Sequence, residues 1–576
     1  MLRLFKFLKP YAIPVTAVFA VVFLQCMSDL YLPTLMSDIV NTGITNGDVS
    51  FILRTGIEML LVAMGGSVCA VAASYMGSHA AMGMGALLRD AIFERVSGFS
   101  LREFDKLGTP SLVTRTTNDV TQVQMVVLMM LRMMISAPIM MIGGIIMALS
   151  KDSGLAWVII AVIPALAAVI LTVGIKGFPL FRAIQKKIDR INLVLREELT
   201  GIRVIRAFNR VEDEKEKFDS ANLDLMKVSI QVNRLFALLI PVMMFVMNFT
   251  TVAVIWLGSN RVDRGTSNIG NMMAFLQYAM QILFSLLMAS FMFIMLPRAQ
   301  ASAERINVVL DTIPEIGDPA TAREPDAGKK GYVEFRHVSF SYQGAEIPAL
   351  SDISFSAEPG EVTAIIGSTG SGKSTLISLI PRFYDVDSGS VLVDGVDVRD
   401  MAQDELRSRI GLVPQKAVLF SGSVAENIRY GKEAASEAEI EAAARIAQAT
   451  EFISGMKEGY DSSIAQGGTN VSGGQKQRLS IARVLVRRPE IYLFDDSFSA
   501  LDFKTDAKLR LALRAETADA TVLIVGQRVA TVMDADRIIV LDEGKIAGMG
   551  THRELYESCA VYKEIVASQL SEEEIA

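Results

Sequence analysis

The chain has 576 residues, 51% of them hydrophobic and 21% charged, and 63 acids against 56 lysines and arginines leave a net charge of −7. That length is too great for one compact domain, the apolar content is too high for an ordinary soluble protein, and the mild acidity gives no footing for a nucleic-acid partner. Apolar residues crowd roughly the first 300 positions, while glycine and charge punctuate the rest, so a membrane domain followed by a soluble one is expected. Cys26, Cys69 and Cys559 lack metal-ligand or redox spacing and read as free thiols.

In chain order, MLRLFKFLKPY reads as a basic amphipathic lead-in lying on the inner membrane surface. It has no small-residue cleavage site, so the first apolar span is expected to be retained. A spanning helix needs about 20 mostly apolar residues. Six stretches qualify: 12–35, 55–78, 127–149, 155–175, 236–257 and 272–296. The connections NTGITNGDVS and SKDSG are poor in basic residues. Those between the second and third spans and between the fourth and fifth are long and basic, with Arg89, Arg102, Lys106, Lys176, Arg190 and Arg203. The positive-inside tendency places these long segments and both termini in the cytoplasm, against the weaker vote of Arg261 and Arg264.

Two stretches interrupt the long segments, KLGTPSLVTR (106–115) and LTGIRVIRAF (199–208), and each reads either as a short cross-helix or as an ordinary turn. Gln25 and Asp29 lie in the first span, where an acid is a candidate functional group unless it sits in water at the outer mouth. Methionines such as Met129, Met133, Met243, Met288 and Met292 suit either an adaptable apolar cavity or helix packing. Residues 311–331 are rich in Pro, Gly and charge and read as a linker between an all-α membrane domain, 1–310, and a soluble α/β domain, 332–576.

In the soluble part GSTGSGKST follows the apolar strand VTAIIG and precedes the helical pattern TLISLI. This is a complete phosphate loop in its required context: Gly367, Ser368, Thr369, Gly370, Ser371 and Gly372 offer backbone N–H groups to phosphate oxygens, ahead of Lys373, Ser374 and Thr375. Lys373 would reach the β- and γ-phosphates of ATP, and Ser374 would ligate Mg2+. The strand IYLF delivers Asp495 as the second magnesium anchor, and Tyr342 is an aromatic that could stack on adenine. VSGGQKQR, from Val471, opens a helix whose N-terminus could bind a second phosphate, which suggests a face completing another chain's site.

The order GSTGSGKST, VPQ, VSGGQ, LFDD, SALD resembles the nucleotide-binding domain of ATP-binding cassette transporters, and six preceding spans resemble a half-transporter of the exporter type. The resemblance implies two halves sandwiching two ATP molecules, each site joining one half's phosphate loop to the other's signature motif. On that basis Gln415 would sense magnesium and the membrane domain, as part of the ATP-binding and Mg2+-binding set. Val471, Ser472, Gly473, Gly474 and Gln475 would cap the partner's ATP, and Asp502 would communicate across the dimer. The two interruptions would be the family's coupling helices.

Two departures stand out. The family places glutamate after the magnesium aspartate, where this chain has Asp496, and a switch histidine where it has Gln527. The three histidines, His79, His337 and His552, do not fit that role. Two weakened catalytic positions beside an intact signature resemble the degenerate-site subunit of heterodimeric bacterial multidrug exporters. The expectation is ATP-driven export of amphipathic drugs or lipid-like compounds by a multi-pass protein of the cytoplasmic membrane, paired with a second half-transporter and in contact with membrane lipid. The competing readings are a homodimeric lipid or peptide exporter and an ATP-gated regulatory membrane protein.

Overall fold

The computed structural model describes residues 1–569, apart from the side chains of Phe178, Phe181, Phe236, Leu239, Ile240, residues 290–294 and Ala327. Met292 and residues 570–576, the end of the expected soluble domain, therefore lie outside the described parts. The chain divides into two units, one of residues 1–97 and 109–312, the other of residues 98–108 together with the chain from 313 onward.

Among the described residues of the first unit, six helices are long and apolar enough to cross a membrane. Each expected span falls within one helical segment: Leu2–Ile44, Val49–Ser97, Thr109–Lys151, Ser153–Ala207, Val211–Asp263 and Ile269–Asp311. Helix breakers are sparse, so the helices outrun the bilayer. Val49–Ser97 has 49 residues, about 73 Å at 1.5 Å per residue against a hydrocarbon core of about 30 Å. Prolines inside the helices, such as Pro164, Pro179 and Pro241, are tolerated because neighbouring groups re-satisfy the freed carbonyls.

Polar bonds tie the first span to the last. The buried Tyr278 hydroxyl donates to Leu30 O at 2.9 Å and lies 2.7 Å from Thr34 Oγ1. Asn41 Nδ2 donates to Asn271 Oδ1 at 3.0 Å, and Ser37 Oγ to the same oxygen at 2.9 Å. Such interhelical bonds contribute about 0.6 kcal/mol each in membrane proteins. Further along, Arg305 grips the buried carboxylate of Asp119 through two nitrogens, at 2.8 and 2.5 Å.

The two interruptions differ from expectation. The short helix is Leu101–Leu107, upstream of most of 106–115. Ser100 and Glu103 form a capping box at its start, and Gly108, at φ +74°, ends it. The 199–208 stretch forms no separate helix: the long helix runs unbroken to Ala207, and the turn falls at Asn209, φ +54°. A lone glycine, Gly201, costs only about 1 kcal/mol in a helix, which does not break one of 52 residues.

In the second unit a six-stranded sheet runs in the order Lys545–Gly550, Arg537–Asp542, Val362–Gly367, Thr521–Val525, Ile491–Asp495, Ile410–Val413. All neighbours are parallel except the first pair. Fully buried runs such as TVLIV read as continuous apolar segments, as strands covered on both faces must. A second, antiparallel sheet orders Leu350–Ala357, Val333–Phe340, Ser388–Val393 and Val396–Asp397. Phe335 and Phe355 stack across it at 4.7 Å within the core that joins the two sheets.

The short helix Leu101–Leu107 belongs to this unit. Tyr384 donates its hydroxyl to Asp105 at 3.0 Å, and Arg102 pairs with Glu315. Residues 313–326, expected as linker, lack regular structure yet are bonded here too: Gln403 N donates to Asp318 Oδ1 at 2.9 Å and Arg323 N to Asp400 O at 2.9 Å.

Candidate functional site

The parallel strands Val362–Gly367, Ile491–Asp495 and Thr521–Val525 end at one edge, in register: Val525 pairs with Asp495 on one side and with Ile365 on the other. In open α/β sheets ligands bind at these carboxyl ends. Every sequence-derived position of the phosphate loop and of the second acid lies on a segment leaving this edge.

The loop Gly367 to Gly372 closes on Lys373. Its Nζ donates to Gly367 O at 2.9 Å and Ser368 O at 2.7 Å, so the ammonium is folded back on the loop. Burial pulls its pKa below the ordinary lysine value, against the opposing charges of Asp496 and Asp495. Gly370 and Gly372 adopt φ of +87° and +97°, where a side chain is strained. A Cβ on Gly372 would also stand 2.7 Å from Ala349 O. The glycines are therefore required by the path of the chain.

Ser374 donates its hydroxyl to Asp495 Oδ1 at 2.8 Å. These two oxygens are hard ligands of the kind magnesium takes. Burial raises the Asp495 pKa, which the Ser374 hydrogen bond partly opposes, so a cation there would relieve the desolvated carboxylate. The residues fit the metal that the motif implies. Tyr342 is 40% exposed, packs edge-on against Phe340 at 5.0 Å, and shares a 3.0 Å hydrogen bond with Thr375. Its ring is accessible and its hydroxyl is held by the phosphate-loop helix.

Asp496 is treated differently from its neighbour. It is 8% exposed and its backbone is left-handed, φ +47°, a region that aspartate tolerates better than most residues. Gln415 Nε2 donates to Asp496 Oδ2 at 3.1 Å and Gln527 Nε2 to the same oxygen at 2.8 Å. The three positions, 81 and 31 residues from one another in pairs with Asp496, are brought into one cluster. The sequence singled out all three but not that both amides meet one carboxylate oxygen.

Ser472 caps the helix Gly473–Leu485. Gln475 N donates to Ser472 Oγ at 3.3 Å, and Gln475 Oε1 accepts from Ser472 N at 2.8 Å. Nothing lies within 4 Å of where a Cβ of Gly473 would stand, so the approach to the helix start is open. Val471 packs partly buried against the helical core of this unit. Gly474 approaches Ala500 O, 3.1 Å from its notional Cβ. Arg478, which sequence reasoning passed over, braces this helix: it donates to Gln448 O at 2.7 Å and lies over the Phe452 ring at 4.7 Å. Its place one turn into the helix, inside VSGGQKQR, was the available signal. Asp502 caps the helix Phe503–Glu516, its Oδ1 accepting from Thr505 N at 3.0 Å, and the hydroxyl of Thr505 first, then this backbone bond, lower its pKa.

Comparisons with known proteins agree with this geometry. The ABC transporter transmembrane region matches residues 15–286, and the ABC transporter ATP-binding domain matches residues 350–499. The chain is 45% identical over 565 residues to an uncharacterised ABC transporter ATP-binding protein of Mycobacterium tuberculosis, covering 98% of this chain and 97% of that one. It is 34% identical over 476 residues to a fatty acid ABC transporter ATP-binding/permease protein of Mycobacterium bovis, covering 82% and 75%. A solved bacterial Atm1-family ABC exporter with ATP bound superimposes with a TM-score of 0.80 at 25% identity, covering 97% and 98%.

Proposed function

The chain belongs to the ABC transporter family, as an exporter that carries its transmembrane and ATP-binding domains in one polypeptide, and from that premise we propose that it is the degenerate-site half of a heterodimer. It is a multi-pass membrane protein and an ATP-hydrolysing transporter. Its cargo is hydrophobic: lipid-like compounds, in keeping with the relative named for fatty acids, or amphipathic drugs. Its nucleotide domain and both termini lie on the cytoplasmic face of the cytoplasmic membrane, a reading that the long basic connections support.

At its own site the loop Gly367 to Gly372 wraps the ATP phosphates with backbone N–H groups, and Lys373 leaves its loop carbonyls for the β- and γ-phosphates. Ser374 and Asp495 hold magnesium, which when bound neutralises charge on the phosphate oxygens. Tyr342 offers its exposed face to adenine. Ser472 to Gln475 cap the partner's ATP, and Asp502 signals across the dimer.

One observation carries the degenerate-site reading. Asp496 Oδ2, which a hydrolytic base would turn toward water, accepts from Gln415 and Gln527 together. The acid is one methylene short and its oxygen is engaged by two amides. A misplacement of about 1 Å in such a site costs on the order of 100-fold in rate. This half holds ATP and its partner hydrolyses. The test is ATPase activity of the purified full chain, alone and after assembly with the half-transporter that co-purifies with it. Low turnover alone and restored turnover together are expected; robust turnover by a homodimer overturns the pairing.

A further inference from the structure

The first unit has a half-open cavity of about 750 Å³. Seven of its lining residues are methionines, among them Met129, Met133 and Met280, and Gln25 adds an amide. One charged residue faces it, Arg132. Its guanidinium gives this wall a positive charge. The guanidinium donates to a neutral group, the Ser74 hydroxyl, at 3.4 Å. Some cations of the unit find carboxylates: Arg261 pairs with Asp152 at 3.1 Å, Lys151 with Asp38 at 3.5 Å, and Arg305 with Asp119 at 2.5 Å. Arg89 and Arg115 meet neutral acceptors as Arg132 does, but neither of those two lines the cavity. Among the described residues no carboxylate pairs with Arg132.

Arg132 is exposed to the cavity side of an otherwise apolar span, and a charge at such a depth is by default a candidate functional group. The local backbone supports the same reading. Met130–Met134 forms a π-helical turn inside the span, a distortion frequent at functional positions. Of the three such turns among the described residues of the unit, with Ile39–Ile44 and Arg115–Asp119, it is the one that lines the cavity and centres on Arg132. Arg132 lies five residues into the apolar span that starts near 127, so its Cα is about 7.5 Å inside the hydrocarbon edge. A guanidinium on its flexible stem reaches head-group level from there. Methionine thioethers adapt to chains of varied length and bend, and a cavity of this size suits a ligand of drug-like or single-chain dimensions.

We propose that this cavity binds a long-chain amphiphile with an anionic head, the head paired with Arg132 and the chain lying against the methionines. The proposal deepens the export reading and rests on it. It implies selectivity: a cationic amphiphile of equal length is repelled, and an uncharged alcohol binds without the ionic contribution. A guanidinium presents paired donors to either a carboxylate or a phosphate, so both heads fit the chemistry.

The test uses the full chain with its co-purifying partner, in nanodiscs of neutral lipid and without ATP. Photo-crosslinking is run with four probes of one chain length bearing a diazirine: a carboxylate, a phosphate monoester, an alcohol and a trimethylammonium. Labelling is mapped by peptide. The expected result is labelling of residues 125–140 by one or both anions, about tenfold above the alcohol, the factor that one charge-assisted hydrogen bond supplies. Which anion labels more strongly distinguishes a fatty-acid-like cargo from a phospholipid-like one. Arg132→Gln should abolish the preference for anions while leaving alcohol labelling unchanged, and Arg132→Lys should restore most of it. Unchanged alcohol labelling also shows that the variant is folded. An anion preference that survives Arg132→Gln, or equal labelling by the cation, overturns the assignment without touching the export reading. Labelling of this segment by none of the probes overturns the cavity as the cargo site, and ATPase measurements on the same discs then judge the export reading separately.

Discussion

Asp495 and Asp496 are adjacent in the chain and 121 and 122 residues beyond Ser374, yet the fold gives them opposite surroundings. Asp495 ends its strand with a hydroxyl, Ser374, on one oxygen, in the arrangement a divalent cation takes. Asp496 turns through a left-handed residue and meets two side-chain amides on one oxygen. The phosphate-loop half of the site is thus built to grip a nucleotide, while the half that would prepare water is tied by donors. Binding and hydrolysis depend on different neighbours, so a chain can keep the first and lose the second.

The largest expected effect separates those two halves. Lys373→Ala should weaken ATP binding by about 100-fold or more, because truncating a phosphate-paired ammonium removes several charge-assisted contacts together. Asp496→Asn should change ATP affinity by less than about threefold, since Asn can still accept from Gln527. Equilibrium binding of a fluorescent ATP analogue measures both. Comparable losses in the two variants would break the distinction between them.

Next in size is the signature helix. Ser472→Ala removes the capping oxygen and costs about 1 kcal/mol at the helix start. Ser472→Asp keeps a good cap but sets a negative charge where the partner's γ-phosphate should arrive. Hydrogen exchange at Gly473–Leu485 should be faster in the alanine variant and near normal in the aspartate one. ATPase of the assembled complex should nonetheless fall by about 100-fold in the aspartate variant, because like charges at an interface cost several kcal/mol. Full turnover in Ser472→Asp would mean that this helix start meets no nucleotide.

The Asp496 cluster gives a gain-of-function test. Asp496→Glu with Gln527→His should raise single-site hydrolysis, measured with the partner's own site disabled, by about tenfold or more, since a positioned general base contributes on the order of 100-fold. No gain would place the lesion elsewhere. The longer acid also has to accept the left-handed backbone at 496, so the gain should stop short of the partner's rate.

Sequence made the site's parts legible because they are local: GSTGSGKST carries its own turn chemistry, and six apolar runs carry their own length. What stayed hidden depends on residues far apart. That Gln415 and Gln527 converge on Asp496 Oδ2 follows from strand order, which no single segment contains. Arg132 was legible as the one charge in the span 127–149 but was passed over, and only packing shows that it lines a cavity without a paired carboxylate. The helix boundaries near the two interruptions were missed for a more ordinary reason. The pair Ser100 and Glu103 is a capping box readable three residues apart, and it marked the start of Leu101–Leu107, whereas Gly201 was given more weight than a single helix glycine warrants.

The smallest expected effect is electrostatic and joins the two acids again. Burial above all, then the charge of Asp496, raises the Asp495 pKa above the ordinary carboxylate value, while Ser374 and Lys373 pull it down. A carboxyl must be ionised to hold magnesium, so metal-dependent nucleotide binding is complete above that raised pKa and declines as pH falls through it. Without metal the linkage has the opposite sense. The folded state holds this proton more tightly than the unfolded chain, so the stability it contributes is fully present below the unfolded pKa and is lost as pH rises through the folded one. Asp496→Asn removes one of the upward pushes on Asp495. The pH at which magnesium-dependent binding is half lost should therefore move to a lower value in that variant, while affinity at neutral pH stays nearly constant. Binding titrations at fixed magnesium across the acid range test this. A shift to higher pH would mean that Asp496 helps to hold the cation, and the two acids would then share one task.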